Sequence, residues 1–210
     1  GLNWLEPSWK GSVIDLKHAW GRFEGNKCFG KLLEAEIISV DKVLNSKEKP
    51  VTAIVGGAKV SDKVLIVQNL LSLADHIIIG GGMAYTFFKA LGGEIGASLC
   101  EEERLETCKE ILATAKEKGV QIHLPTDAII ADRFAADAHT QTAPSGAISG
   151  AWMGLDIGPE AIKDFSAVLE KRQTILWNGP VGVFEFENFA NGTIALGEAI
   201  AQSTSKGAFS

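Results

Sequence analysis

The stretch Ala53–Lys63, AIVGGAKVSDK, ends a short apolar run in two glycines and then sets two lysines four residues apart. With the residues before it, PVTAIVGG is an apolar run bounded by Pro50 and by Gly56-Gly57, the pattern of a buried strand. The residues after it, SDKVLIVQNLLSLA, carry helical spacing, with Ser61 as the expected N-cap. A strand that breaks at glycines into a helix lets backbone amides approach an anion, and the helix start adds free N–H groups and a positive dipole end. Lys59 and Lys63, about one turn apart, would add charge on the same side. A phosphate cradle is one reading. A tight turn followed by two solvated lysines is the other, and this stretch alone does not choose between them. Neither the G-x-x-x-x-G-K-[ST] order nor G-x-G-x-x-G is present.

Working outward, the same plan recurs. DHIIIGGG and QTILWNGP are apolar runs that end in glycine turns, at Gly80-Gly81-Gly82 and at Asn178-Gly179-Pro180. VQIHLP and DAIIAD read as further strands. MAYTFFKAL, EEERLETCKEILATAKEKG, PEAIKDFSAVLEK and ENFANGTIALGEAIAQSTSKG read as helices, the second with acids at its start and Gly119 as its stop, the third with Pro159 in its first turn. Residues 134–158, rich in Ala, Gly, Ser and Thr, read as a long polar loop, and the terminal AFS as a strand just beginning. Alternating strands and helices predict an α/β fold: a parallel sheet with helices on both faces, a Rossmann-like three-layer arrangement with its last strand cut short. Such sheets take ligands at the carboxyl ends of their strands, where the three glycine turns would converge.

The α/β pattern occupies residues 48–210. KLLEAEIISVDKVL, with Leu32, Leu33, Ile37, Val40 and Leu44 at helical spacing, reads as a separate helix within residues 28–47. Residues 1–27 hold Trp4, Trp9 and Trp20 without a sustained period and stay unassigned, as a packing arm.

Composition narrows the class. The 210 residues are 46% hydrophobic and 22% charged, as in globular domains. The formal net charge is −6 and the pI about 5.3, which argues against general nucleic-acid binding. Cys28, Cys100 and Cys108 match no zinc spacing and read as reduced thiols. The most apolar stretch, HIIIGGGMAYTFFKALGG, is broken by glycines and by Lys89, so no membrane span is expected. The start shows no secretory signal pattern, and the chain begins with Gly1 rather than Met.

Three further groups carry candidate chemistry. Gly80 to Met83 would leave a bare backbone shelf for a flat base or a phosphate; a flexible turn is the alternative. In WNGPVGVFEFENF, Asn178 ends a strand, Val181, Val183 and Phe184 would form an apolar wall, and Glu185 would accept hydroxyls as a ribose offers them. A structural turn with a solvated glutamate is the alternative. His18, His76, His123 and His139 are scattered without metal or triad spacing and read as structural. Asp127 and Asp132 bracket a strand rather than a metal.

Taken together, GGAKVSDK, IIIGGGMAYTF, AWMGLDIGPE and ILWNGPVGVFEF, in this order and spacing, resemble the nucleotide-binding half of the phosphoglycerate kinase family from about Cys28 to Ser210, with Ala151 where that family usually has glycine. The family has two α/β domains joined by a hinge, one for phosphoglycerate and one for Mg-ADP or Mg-ATP. Their closure transfers a phosphoryl group from 1,3-bisphosphoglycerate to ADP in glycolysis. FGKLLEAEIISVDKVL resembles the helix that joins the domains. The resemblance implies that Lys59 and Lys63 hold the nucleotide phosphates and the group in flight. Gly57 and Ala58 would line the phosphate end, Gly81 and Gly82 would approach the base, and Gly154 would sit by the adenine. Asn178, Pro180 and Val181 would flank the nucleotide, and Glu185 would bind the ribose. It also implies Mg²⁺ carried through the nucleotide, held by an aspartate of a Gly-Gly-Gly-Asp turn that would follow the strand begun at AFS. That turn would lie beyond Ser210, and residues 1–27 do not resemble the substrate domain. The expectation is therefore a part of phosphoglycerate kinase, inactive alone, with ADP or ATP and 3-phosphoglycerate or 1,3-bisphosphoglycerate as partners. Neither nucleic acid nor membrane is expected, and the protein should be monomeric and cytoplasmic, an organellar form being equally readable. A non-catalytic nucleotide-binding or structural module on the same scaffold is the alternative. A Rossmann oxidoreductase is disfavoured, because its glycine fingerprint is missing.

Overall fold

The computed structural model describes residues 49–170 and 174–210. The tryptophan-containing segment 1–27 and the helix expected within 28–47 lie outside the described residues.

Four parallel strands form the main sheet: β1 (Val51–Val55), β2 (His76–Ile79), β4 (Gln121–His123) and β9 (Thr174–Asn178), in the order β4-β2-β1-β9. Every residue of β1 is buried, as a run of five apolar or β-branched residues requires of a central strand in a sheet covered on both faces. Ile54, Ile78 and Ile175 point to one face. There they pack with Ala161, Phe165 and Leu169 of α4 (Pro159–Leu169) and with Leu196 and Ile200 of α5 (Asn191–Ser205). Ala53, Val55, Ile77 and Ile79 point the other way and are equally buried. α1 (Val64–Leu70), α2 (Met83–Ala90) and α3 (Leu105–Lys118) complete the α/β alternation, and α3 ends on a left-handed Gly119, as its sequence foretells. The terminal Phe209 bridges Thr174 in parallel, so the chain starts a further strand beside β9. No described helix is long and apolar enough to cross a membrane.

The segment 134–158, expected as a loop, holds three strands. β5 (Asp127–Ala131) pairs antiparallel with β6 (Thr140–Pro144) on one side and with β8 (Met153–Ile157) on the other. β7 (Ala147–Ile148) pairs with β3 (Glu94–Ile95). β6 was illegible because it is an edge strand whose residues are nearly all exposed, so no apolar alternation marks it. In β8 the apolar run is short and lies among glycines, and its meaning depends on pairing with β5.

The first turns also differ from expectation. Ser61 does not cap α1: its N–H and hydroxyl both go to the Glu101 carboxylate. Residues 61–63 form a turn held by Lys63 and Val64 amides on the Val60 carbonyl, and the helix begins only at Val64. Similarly, Glu102–Arg104 and Glu187–Phe189 are 3₁₀ turns that precede α3 and α5.

The glycine turns touch one another directly. The Gly56 amide donates to the Asn178 carbonyl, Gly81 to Val181 and Met83 to Gly57. A Cβ on Gly56 would stand 2.0 Å from the Pro180 carbonyl oxygen, one on Gly81 2.5 Å from that of Gly57, and one on Gly179 2.4 Å from that of Gly56. Gly57, Gly81 and Gly179 also have positive φ, open to glycine at little cost. This contact sits where the strand order reverses, between β1 and β9, which is the usual place for a ligand crevice. Gly179→Ala should therefore cost about 4 kcal/mol of folding stability, against about 1 kcal/mol for Gly119→Ala, which shares the left-handed conformation but has open space around it. Urea unfolding of both variants compares the two, and equal losses would remove the claim that the turns are packed too tightly for any side chain.

At the β4 edge of the sheet, His76 Nδ1 and His123 Nε2 lie 3.1 Å apart, a diagonal pair on one face of β2 and β4. Burial first, and the His76 charge second, lower the His123 pKa, while Asp164 opposes them. An unfolded histidine takes its proton near 6.5, and the folded one resists it, so this site costs stability as pH falls below that value. Between about pH 7.5 and about pH 5.5, His123→Gln should lose less stability than the unmodified chain. Equal losses in chemical denaturation would show that the pair does not titrate in this way.

Candidate functional site

Above the carboxyl ends of β1, β2 and β9 opens a cavity of about 530 Å³. Gly57 and Ala58 from the first turn, Gly81 and Gly82 from the second, and Pro180, Val181, Val183 and Glu185 from the third all line it, together with Gly154 from β8. Of the residues picked out in the sequence, these share one wall-to-wall site. The glycines are there because the backbones must meet, and the same absence of side chains leaves a flat floor. Gly154 shows this from another direction: a Cβ on it would lie 1.7 Å from the Tyr85 hydroxyl, so Tyr85 on the first turn of α2 can sit against the β8 backbone only because Gly154 is bare. The Gly154 amide donates to Ser98 Oγ, which fixes that strand edge.

The lysines stand beside the cavity rather than in its lining. Lys63 precedes α1, and its side chain runs close to Gly57, a lining residue. Its ammonium donates to Asn178 Oδ1 at the end of β9. Burial lowers the Lys63 pKa and the Asp62 charge partly restores it. A half-buried ammonium is poorly hydrated, so it interacts more strongly with an anion than a surface lysine does. Lys59 is exposed next to Ala58. On Glu101, burial works against ionisation. The hydrogen bonds from Ser61 and Val60, with the Lys59 charge, overcome it and hold the carboxyl below its ordinary value. Glu101 therefore anchors the lysine-bearing turn by accepting its amides.

Asn178 accepts a hydrogen bond from the Lys63 ammonium and, against expectation, does not line the cavity. Phe184 departs from the expected apolar wall: it is half exposed and lines a separate shallow groove with Trp177 and Thr193. Val181 and Val183 do form a wall of the main cavity. The sequence reading missed Tyr85, Leu99, Phe134, Met153, Leu155 and Asp156, all of which line it. Tyr85 follows the glycine shelf closely, and Met153 to Asp156 lie inside the AWMGLDIGPE motif, so position relative to the glycines was a usable signal for them. Phe134 leaves no local signal, since it sits in the turn between β5 and β6; there its ring lies tilted against Phe186, with centroids 5.2 Å apart.

The arrangement offers a mostly apolar end fit for a flat ring, an exposed carboxylate (Glu185) for hydroxyls, and a bare glycine turn beside a half-buried ammonium for an anion. Among the described residues no cluster of three or more His, Cys, Asp or Glu side chains could hold a metal ion.

Comparison with known proteins identifies the family. The phosphoglycerate kinase family profile matches residues 12–210, so the likeness starts earlier than the Cys28 boundary read from the motifs. The chain is 50% identical over 185 residues to a phosphoglycerate kinase of Porphyromonas gingivalis, covering 88% of this chain and 44% of that protein. It is 48% identical over 178 residues to the cytosolic phosphoglycerate kinase of Triticum aestivum, covering 85% of this chain and 44% of that protein. Among solved structures, phosphoglycerate kinase from Coxiella burnetii superposes with a TM-score of 0.79 at 42% identity, over 83% of this chain and 45% of the other. The chain thus spans less than half the length of the relatives it matches. With the matched profile covering nearly the whole sequence and a common fold at this identity, the chain belongs to the phosphoglycerate kinase family.

Proposed function

We propose that this chain carries the nucleotide-binding half of a phosphoglycerate kinase, which transfers a phosphoryl group from 1,3-bisphosphoglycerate to ADP and releases 3-phosphoglycerate and ATP. The observation that carries the reading is the convergence of three glycine turns on one cavity, with the half-buried Lys63 ammonium beside it. The base would lie in the apolar end, against Gly81, Gly82, Gly154, Val181 and Tyr85, with Glu185 accepting the ribose hydroxyls. The phosphates would run toward Gly57 and Ala58.

In the transfer, the phosphoanhydride oxygen of the acyl phosphate leaves as the carboxylate of 3-phosphoglycerate, and a β-phosphate oxygen of ADP takes the phosphoryl group. This chemistry needs positioning and positive charge on the moving oxygens rather than a covalent group on the protein. Lys63 would supply that charge, held in place by Asn178. Lys59, free in solvent on the same turn, would draw in the anionic nucleotide. Pro180 and Val181 would flank the nucleotide through the third turn, and Asn178 would bear on it only by holding Lys63. Mg²⁺, carried on the nucleotide phosphates, would offset their charge.

Calorimetry of the chain with millimolar ADP should give measurable binding, and no heat at that concentration would sink the nucleotide reading. Lys63→Ala, made in a full-length relative at the matching lysine, should lower kcat on the order of 100-fold while changing ADP affinity much less, because its charge acts on the group in flight. Equal losses in turnover and affinity would assign the lysine to ground-state binding alone.

A further inference from the structure

Asp156 is a buried carboxylate inside the AWMGLDIGPE motif to which neither the sequence reading nor the transfer chemistry gives a role. It is 3% exposed at the end of β8. Its Oδ1 accepts the Ile157 amide at 2.9 Å and its Oδ2 the Gly192 amide, in the first turn of α5, at 2.8 Å. The space around it excludes side chains on two other segments: a Cβ on Gly182 would stand 2.1 Å from Oδ1, and one on Gly192 2.3 Å from the same atom. The Val181–Val183 turn is thereby clamped between Asp156, the Thr193 hydroxyl that accepts the Val181 amide, and the Leu155 carbonyl that accepts the Val183 amide. Val181 and Val183 are the apolar wall of the cavity, and Asp156 itself lies in the lining.

A β-bulge makes this possible. Ile129 faces Asp156 and Ile130 faces Gly154, so Leu155 is the extra residue with no partner on β5. The insertion lets Leu155 and Asp156, neighbours in sequence, both contribute to one cavity.

We propose that Asp156 is a positioning residue of the nucleotide cavity: by accepting the amides of β8 and α5 and filling the space that Gly182 and Gly192 leave, it sets the place of the Val181–Val183 wall against the base. The inference rests on the nucleotide reading of the cavity. Function depends on the ionised form, because both oxygens face N–H donors; a protonated carboxyl or a carboxamide would turn a donor toward one of them. Burial outweighs these two hydrogen bonds and raises the pKa to about 6. The titratable groups around it are few. The Tyr85 phenol of α2, whose own pKa burial and the Asp156 charge both raise, faces it. Glu185 and Glu187, in the segment after the wall, are exposed, and the first turn of α5, Asn191 to Ile194, holds no ionisable side chain.

The test uses adenosine, which has no phosphate to titrate, with ADP at about pH 8 as the reference. In the unmodified chain, adenosine affinity should be constant from about pH 8 to about pH 7 and fall several-fold as pH drops through about 6. Asp156→Asn should bind adenosine about 10-fold more weakly at pH 8 and show no fall at lower pH. His139→Gln, which removes the histidine next to the Phe134 hairpin, should keep the unmodified profile. The pH profile of the unmodified chain stands even if Asp156→Asn does not fold: a flat profile overturns the assignment. So does an Asp156→Asn chain that binds and titrates like the original, ADP binding then leaving the nucleotide reading intact. Absence of both ADP and adenosine binding at pH 8 would instead overturn the nucleotide reading, and the assignment with it.

Discussion

The fold hangs on backbone meeting backbone at the top of the sheet. The turns after β1, β2 and β9 exchange amide–carbonyl bonds and leave no room for a Cβ at Gly56, Gly81 or Gly179. Strands in a parallel sheet are about 4.8 Å apart, so turns that leave adjacent strands on the same side must either diverge or lose their side chains. Here they have lost them. The same constraint that lets β1 sit between β2 and β9 leaves the bare floor of the cavity, so the packing requirement and the candidate binding surface are one feature.

Charge is placed around that floor with little excess. Lys63 is half buried and bound to Asn178, while Glu101 holds the turn before it by its amides. Elsewhere, two carboxylates from the antiparallel strands, of which only Asp156 lines the cavity, serve the helices of the opposite layer. Asp127 of β5 accepts the Ala161 amide of α4, and Asp156 of β8 accepts the Gly192 amide of α5. Neither helix has a capping side chain of its own, since Gly158 and Ala190 precede them. A carboxylate supplied from a neighbouring strand satisfies free amides and complements the helix dipole. It also ties the small antiparallel sheet to the main one at the rim of the cavity.

Most of the parallel sheet and its helices were legible, because buried strands ending in Gly and helices with 3.6-residue spacing each leave a local mark. The site residues carried by the glycine turns were legible for the same reason. The misreadings share a cause. Ser61 looks like an N-cap until Glu101, forty residues on, takes its amide. The polar edge strand β6 has no apolar alternation, and Phe134 belongs to a hairpin that exists only once β5 and β6 pair. Phe184 shares a short segment with Val183, but only Val183 reaches the cavity.

By itself, the sequence determined the α/β alternation, the three glycine turns and the pair of lysines beside them, since strand burial, glycine freedom and helical period act over a few residues. Tertiary structure alone decided which of the two lysines is drawn in, since that depends on Asn178 over a hundred residues away. It also decided that a bulge would bring Leu155 and Asp156 to one cavity, and that Asp156 would hold a helix from another layer. Those choices follow from strand pairing and from where amides lack partners, and neither is fixed until distant segments meet.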